Sequence, residues 1–203
     1  MTLLITALFD QEIAVAMDTY ATGGDGMHHA KCWAPESGEF IVAGTGLFDV
    51  VGPWLDDVKQ MPASTTAAEI VVMAPAHLAR RHATLIAEHP EAARFHTTGF
   101  VYSFDKEDRR SPVRESFSTR ENFNTKRNVR TGFQVVPQVQ FPPAWQTTGL
   151  ANTDTDLMKI AQYVAVECDR DTTTEVHIDG ELRVIRITPR GLKAAGTVGS
   201  IRA

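Results

Sequence analysis

The residue at position 2 is the first one whose type and place could do chemistry. Thr2 follows Met1 alone, and its small side chain permits ordinary removal of the initiator methionine. A threonine hydroxyl is a poor nucleophile until a base takes its proton, and an N-terminal threonine carries such a base in its own α-amine. Free α-amines titrate at about 7.7–8.0, so a terminal amine is partly unprotonated at neutral pH. Thr2, once exposed, is therefore a candidate nucleophile for amide hydrolysis.

A site of this kind needs three further groups, and the first fifty residues offer a candidate for each. A cation beside the amine lowers its pKa, an anion holds that cation, and a backbone N–H stabilises the oxyanion. Asp18 ends the second apolar run, Lys31 follows a Gly-rich turn, and Gly44 ends a later apolar run before a helix. A hairpin centred near Asp10 would return Asp18 to the level of Thr2. The sequence therefore predicts that Lys31, held by Asp18, tunes the Thr2 amine and that Gly44 N–H stabilises the oxyanion.

The order and spacing of these residues resemble those of a known family. The matching pieces are Thr2, MDTYAT over residues 17–22, Lys31, and AGTG over residues 43–46 followed by Asp49. They resemble proteasome β subunits and the bacterial HslV-type peptidases, which are N-terminal-nucleophile hydrolases, and the protein is interpreted as a bacterial proteasome homologue. The resemblance implies the same catalytic roles for the threonine, aspartate, lysine and glycine.

The resemblance also implies a substrate-binding strip. Thr22 falls where the family has a threonine whose backbone holds the substrate peptide as an added strand. Tyr20 and Gly46 are assigned to substrate binding beside it. Tyr20 stands where the family often has arginine.

Toward the end of the chain, residues 170–174 and 187–191 resemble the family's final helix and strand pair. The resemblance implies that Asp171 supports the catalytic centre and that Thr174 assists it. It also puts Thr147 or Thr148 near a serine that serves the terminal amine. Alternatively, a structural monovalent or divalent cation is coordinated by oxygen atoms of Ala165, Cys168 and Asp171. The predicted chemistry requires no cofactor.

Composition bounds the class of protein. The 203 residues are 43% hydrophobic and 22% charged, which suits one domain spanning residues 1–203. A net charge of −5 disfavours nucleic acid as a partner. The opening segment lacks a basic leader and is interrupted by charges, so we expect neither a signal peptide nor a membrane span, and a cytoplasmic location. Cys32 and Cys168 are expected to be free thiols.

The elements that would position the site follow from hydrophobic periodicity. Strands are predicted at 3–8, 12–17, 39–43, 98–104 and 113–119, and helices at 47–58 and 152–169. Residues 64–66 are predicted to cap a helical segment that extends to about His89, and an interruption near Pro75 makes it either two helices or one kinked helix. A final hairpin of 176–178 with 182–188 is predicted to turn at Asp179-Gly180. Residues 120–131 are polar and basic and fit an ordered loop, a subunit contact or a mobile segment. The order of elements, together with the resemblance, predicts an α+β fold, a four-layer αββα sandwich of two stacked antiparallel sheets.

The function predicted is that of a threonine peptidase that hydrolyses peptides or unfolded proteins inside a homo-oligomeric ring. An ATP-dependent unfoldase could serve as partner, although the chain has no Walker motif. Two alternatives stay open. One is an amidase of the same fold that acts on small-molecule amides, and the other is a catalytically inactive ring or scaffold protein.

Overall fold

The computed structural model describes residues 2–20, 29–108, 110–146, 152–171 and 176–202. The strands in these ranges are β1 (Leu4–Phe9), β2 (Glu12–Asp18), β3 (Cys32–Trp33), β4 (Phe40–Thr45), β5 (Thr98–Phe104), β6 (Pro112–Ser118), β7 (Thr125–Val129), β8 (Gly132–Val136), β9 (Glu181–Thr188) and β10 (Gly191–Ser200). The helices are α1 (Phe48–Lys59), α2 (Ala67–Glu88), α3 (Pro143–Gln146) and α4 (Asp154–Arg170).

Two antiparallel sheets are stacked face to face. The first has the strand order β10-β9-β2-β1-β8, and the second has the order β3-β4-β5-β6-β7. Helix α4 packs on the outer face of the first sheet, and α1 and α2 pack on the outer face of the second. The predicted four-layer αββα sandwich is confirmed.

The alternation of side chains along β1 shows how the layers are filled. Leu3, Ile5 and Ala7 join the core under α4, whereas Leu4 and Leu8 join the core between the sheets. Both faces of a central strand are therefore apolar, because each face is covered by another layer. This explains why the first residues of the chain form an almost uninterrupted apolar run.

The two helices on the second sheet are continuous through their prolines. Pro53 lies inside α1, and Pro75 lies inside the 22-residue α2, so the interruption predicted near Pro75 does not divide the helix. A capping box starts α2, in which Thr66 and Glu69 satisfy each other's backbone N–H groups. Packing of the apolar face against the second sheet offsets the hydrogen bond that a proline removes.

The predicted final hairpin is wrong. Residues 176–178 form no strand, and β9 pairs instead with β10 across a turn at Pro189-Arg190. Gly180, at φ 80°, directs the chain into β9 and its carbonyl oxygen accepts the N–H of Ile201 at 2.9 Å. Strand β10 escaped sequence reasoning because its residues are mostly small and exposed, so they carry no apolar alternation.

The polar segment 120–131 contains an edge strand rather than a loop. Strand β7 pairs with β6 at one edge of the second sheet, and β8, for which no strand was predicted, pairs with β1 at the edge of the first. Most residues of β7 are exposed because no further layer covers this edge, so the strand has no apolar face by which a sequence pattern could reveal it.

Two expectations from composition can be compared with the fold. Cys32 and Cys168 are buried free thiols that lie in different apolar clusters. Among the described residues, no helix has both the length and the apolar character needed to cross a bilayer.

The packing of α2 predicts a matched pair of stability effects. Ile70 is fully buried against the second sheet, whereas Val72, two residues on, is 79% exposed. Ile70→Ala should lower the free energy of unfolding by about 2–5 kcal/mol, because it leaves a cavity in the core. Val72→Ala should change it by less than about 0.5 kcal/mol. Chemical denaturation measures both, and equal losses would contradict the assigned orientation of α2.

Candidate active site

Asp18 and Lys31 form a buried ion pair at the end of the sandwich where β1 begins. Lys31 Nζ donates to Asp18 Oδ2 at 3.0 Å, and the two side chains are 3% and 0% exposed. Burial of a charge is costly unless it is paired and hydrogen-bonded, so each residue makes the other's burial tolerable.

The second oxygen of Asp18 connects the pair to the start of the chain. The pairing of β1 with β2 sets Leu4 opposite Met17, so Leu3 arrives beside Asp18. Leu3 N–H donates to Asp18 Oδ1 at 2.8 Å. Thr2, which is 5% exposed, shares the peptide unit of that N–H, so its backbone lies next to the ion pair.

Two further hydrogen bonds fix Lys31, one made by its ammonium and one by its backbone carbonyl. Its ammonium also donates to the backbone carbonyl of Tyr20, and its carbonyl oxygen accepts the N–H of Gly44 at 3.1 Å. Two oxygens thus fix the charged end of the side chain, and the start of β3 is tied to β4. The ammonium of Lys31 is positioned by β2 and β4 together.

Burial governs the titration of the pair. It raises the pKa of Asp18 to about 6, against the charge and hydrogen bond of Lys31 and the N–H of Leu3, which lower it. Burial likewise lowers the pKa of Lys31, while Asp18 raises it. At neutral pH Asp18 is therefore a carboxylate, and the lysine releases a proton more readily than an exposed one.

Thr19, to which the sequence assigned no role, joins the segments around the pair. Its N–H and Oγ1 bond the carbonyl and N–H of Glu181, each at 3.0 Å, and its carbonyl accepts the N–H of His29 at 2.7 Å. These bonds connect the end of β2 to the start of β9 and to the chain that returns before Lys31. In the sequence, the position of this threonine between Asp18 and Tyr20 is the signal for such a role. That position does not reveal its hydrogen-bond partners.

The glycine predicted to stabilise an oxyanion is not available for that role. The N–H of Gly44 is already used by the Lys31 carbonyl, because this glycine continues the ladder between β3 and β4. Gly46, two residues on, donates its N–H to no oxygen among the described residues. Its φ of 98° requires glycine, and a Cβ there would lie 2.1 Å from the carbonyl oxygen of His96.

The other predicted positions differ in how the structure places them. Asp171 is exposed after the last turn of α4, and its N–H donates to Glu167 O at 3.2 Å. Tyr20 lies beside the site, with its ring 5.4 Å from that of His177. Met1, Thr22, Thr147, Thr148 and Thr174 lie outside the described residues, so their predicted roles stay predictions.

The cation site also stays a prediction. Cys168 is buried within α4, and burial raises its pKa, which disfavours a thiolate ligand. The described part of the chain contains no group of three or more histidine, cysteine, aspartate or glutamate side chains that could hold a metal ion. The ligands expected from Ala165 and Cys168 are backbone carbonyl oxygens, which differ from these side-chain donors.

A cavity of about 640 Å³ lies elsewhere in the protein. It is lined by residues such as Gly38, Phe104 and Thr188, which lie at the opposite end of the strands. A large pocket is the usual first candidate for an active site. The buried Asp18–Lys31 pair is the stronger indication of an active site, because charged side chains are buried together only where each is paired with the other.

Comparison with known proteins gives the fold and no more. No family model matches the chain, and no curated protein matches it in sequence. An Anbu (Gly-1) mutant from Hyphomicrobium sp. strain MC1 matches with a TM-score of 0.58 and 12% identity over 98% of this chain and 87% of its own. Anbu (ancestral beta-subunit) from Yersinia bercovieri matches with a TM-score of 0.63 and 11% identity over 97% and 87%.

These matches correct the family interpretation. The sequence suggested a proteasome β subunit or HslV-type peptidase, whereas the similar solved structures are Anbu proteins, a distinct proteasome-like family. The chain has a proteasome-like fold.

The ion pair predicts how Asp18 titrates. In the native protein the carboxyl of Asp18 should titrate near pH 6, and Lys31→Met should move its pKa higher, because the lysine is a cation that lowers it. Carbon-13 NMR of the aspartate carboxyls measures both. Asp108, whose pKa is held at about 2 mainly by hydrogen bonds from Ser111, is an internal control. A fall toward the ordinary aspartate value in Lys31→Met would contradict the assigned pairing.

Proposed function

We propose that the protein is an N-terminal threonine hydrolase that cleaves peptide bonds, with Thr2 as its nucleophile once Met1 is removed. The observation that supports this most strongly is that the Asp18 carboxylate accepts hydrogen bonds from both Leu3 N–H and the Lys31 ammonium. This arrangement places the buried ammonium of Lys31 beside the backbone of Thr2, the residue that would become the terminus. The proteasome-like fold is a second, independent support.

The proposed chemistry uses the terminal amine as the base. Thr2 Oγ attacks the peptide carbonyl while the amine takes the hydroxyl proton and passes it to the leaving amine. The first product departs, leaving an ester between Thr2 and the acyl part of the substrate. Water then attacks that ester while the same amine takes a proton from the water. The amine returns this proton to Thr2 Oγ as the ester bond breaks and the acid product is released.

Lys31 would tune that amine through its charge. A positive ammonium nearby favours the neutral form of the amine and so lowers its pKa toward neutrality. Asp18 and the Tyr20 carbonyl keep the ammonium in place, so this charge needs no rearrangement when the amine accepts a proton.

We propose Gly46, rather than Gly44, as the oxyanion donor. Its N–H has no acceptor in the described structure, and it lies between the end of β4 and the start of α1. The N-terminal end of a helix adds a favourable field for negative charge. This assignment moves the donor two residues along the chain without changing the chemistry.

We further propose that the chain assembles into a ring of identical subunits that encloses the Thr2 sites, in the cytoplasm. The description of the Yersinia protein as an ancestral beta-subunit supports an assembled state. Peptides or unfolded proteins would be the substrates, with an ATP-dependent unfoldase as the partner that delivers them.

A non-catalytic ring or scaffold protein is the second candidate. It is favoured by one observation, which is that Thr2 is only 5% exposed. Retention of Met1 would hold the nitrogen of Thr2 in a peptide bond and leave no terminal base.

The experiment joins intact mass to kinetics. The native protein should lack the mass of Met1 and cleave a panel of fluorogenic peptides, with a non-peptide amide included to detect an amidase. Thr2→Ala should lose about 10³-fold or more in kcat/KM, and Thr2→Ser should retain part of it. The matched control Thr84→Ala changes an exposed threonine on α2 and should leave the rate unchanged. A native protein that keeps Met1 and cleaves nothing would support the scaffold instead.

A further inference from the structure

A second polar site lies away from the Asp18–Lys31 pair, at the side of the sandwich where the two sheets end in β7 and β8. A cavity of about 430 Å³ opens there between the sheets, and we call it the edge cavity. Its lining residues are Thr6, Leu8, Arg114, Asn128, Arg130, Thr131, Gly132, Phe133, Gln134 and Gln138.

Strand register explains why polar side chains meet at this place. On the first sheet Thr6 pairs with Gln134, and on the second Arg114 pairs with both Tyr102 and Asn128. The two rows face each other between the sheets. Two hydrogen bonds join the rows across the layer. Thr6 Oγ1 and the Tyr102 hydroxyl lie 3.2 Å apart, and Arg114 donates to Gln134 Oε1.

The guanidinium of Arg114 lies between the two sheets, and no described residue neutralises its positive charge. Its one hydrogen-bond acceptor in the described structure is the neutral amide of Gln134, and its Nε is buried without an acceptor. The buried guanidinium of Arg186, by contrast, contacts the carboxylates of Glu12 and Asp154. Because an unpaired buried charge is costly, Arg114 is expected to meet an anion.

The rest of the edge cavity fits an anion as well. Its lining contains a second arginine, Arg130, and amide groups at Asn128 and Gln138 that can donate hydrogen bonds. Neither aspartate nor glutamate occurs among its described lining residues. A planar guanidinium is matched by the two oxygens of a carboxylate, which it can bind through two parallel hydrogen bonds.

We propose that the edge cavity is a carboxylate-binding site in which Arg114 and Arg130 hold the anion. Two sources present the same chemistry. One is a free carboxylate, such as a small organic acid or the C-terminus of a peptide, and the other is an aspartate or glutamate side chain of a second copy of this chain. The proposal is independent of the chemistry at Thr2.

The first arm of the test measures binding of free carboxylates. Acetate, and a tripeptide with a free C-terminus, are titrated against the full chain by calorimetry and thermal unfolding, with sodium chloride at matched ionic strength. The amidated tripeptide is the ligand control. Saturable binding should weaken at least 10-fold in Arg114→Gln and several-fold in Arg130→Gln, which alters an exposed side chain and spares the core. Arg120→Gln, an exposed arginine outside the edge cavity, should bind as the native protein does.

The second arm measures the oligomer by light scattering. If a second copy supplies the carboxylate, acetate shows no saturable binding and Arg130→Gln lowers the average mass, while Arg120→Gln does not. Either of these two patterns supports the proposal and identifies the source. Absence of both, with Arg130→Gln folded as judged by circular dichroism, overturns it.

Discussion

The buried ion pair of Asp18 and Lys31 is the interaction on which the arrangement of this end of the sandwich depends. Both charges have left water almost completely, so each needs the other and the surrounding donors and acceptors. Removing one partner of such a pair typically costs about 3–5 kcal/mol, whereas replacing both by apolar residues is often neutral. The ion pair therefore contributes little to the net stability of the fold, and a functional role of its charge explains its presence better.

Backbone contacts among five strands, β1, β2, β3, β4 and β9, position that pair. The register of β1 on β2 brings Leu3 to one carboxylate oxygen, and the link from Gly44 to the Lys31 carbonyl ties β4 to the approach of β3. Thr19 adds β9 through its two bonds to Glu181. The site is thus built mainly from strand ends rather than from flexible side chains, which favours a fixed geometry.

Much of this could be predicted because it follows from local patterns. The two-residue turn between β1 and β2 fixes the register, and a fixed register places Asp18 beside the first residues of the chain. Helices α1, α2 and α4 were found because their apolar faces cover one sheet or the other and so repeat at helical spacing. The general αββα order follows from the same patterns.

The errors have physical causes of their own. The N–H groups of residues two positions apart in a strand point to the same side, so whether Gly44 or Gly46 has a backbone acceptor depends on how far the neighbouring strand extends, which is a tertiary fact. Strands β7 and β10 lie at sheet edges, where one or both faces are open and no apolar alternation is needed.

The most direct test of the account is the pKa of the Thr2 α-amine in the protein without Met1. Nitrogen-15 NMR of the selectively labelled threonine follows the titration in the native protein and in Lys31→Met. The account predicts a pKa below the ordinary range of about 7.7–8.0 in the native protein and a return toward that range in the variant, because the lysine charge is removed. An amine that titrates at the same pH in both proteins would contradict the assignment of Lys31 as the group that tunes the base.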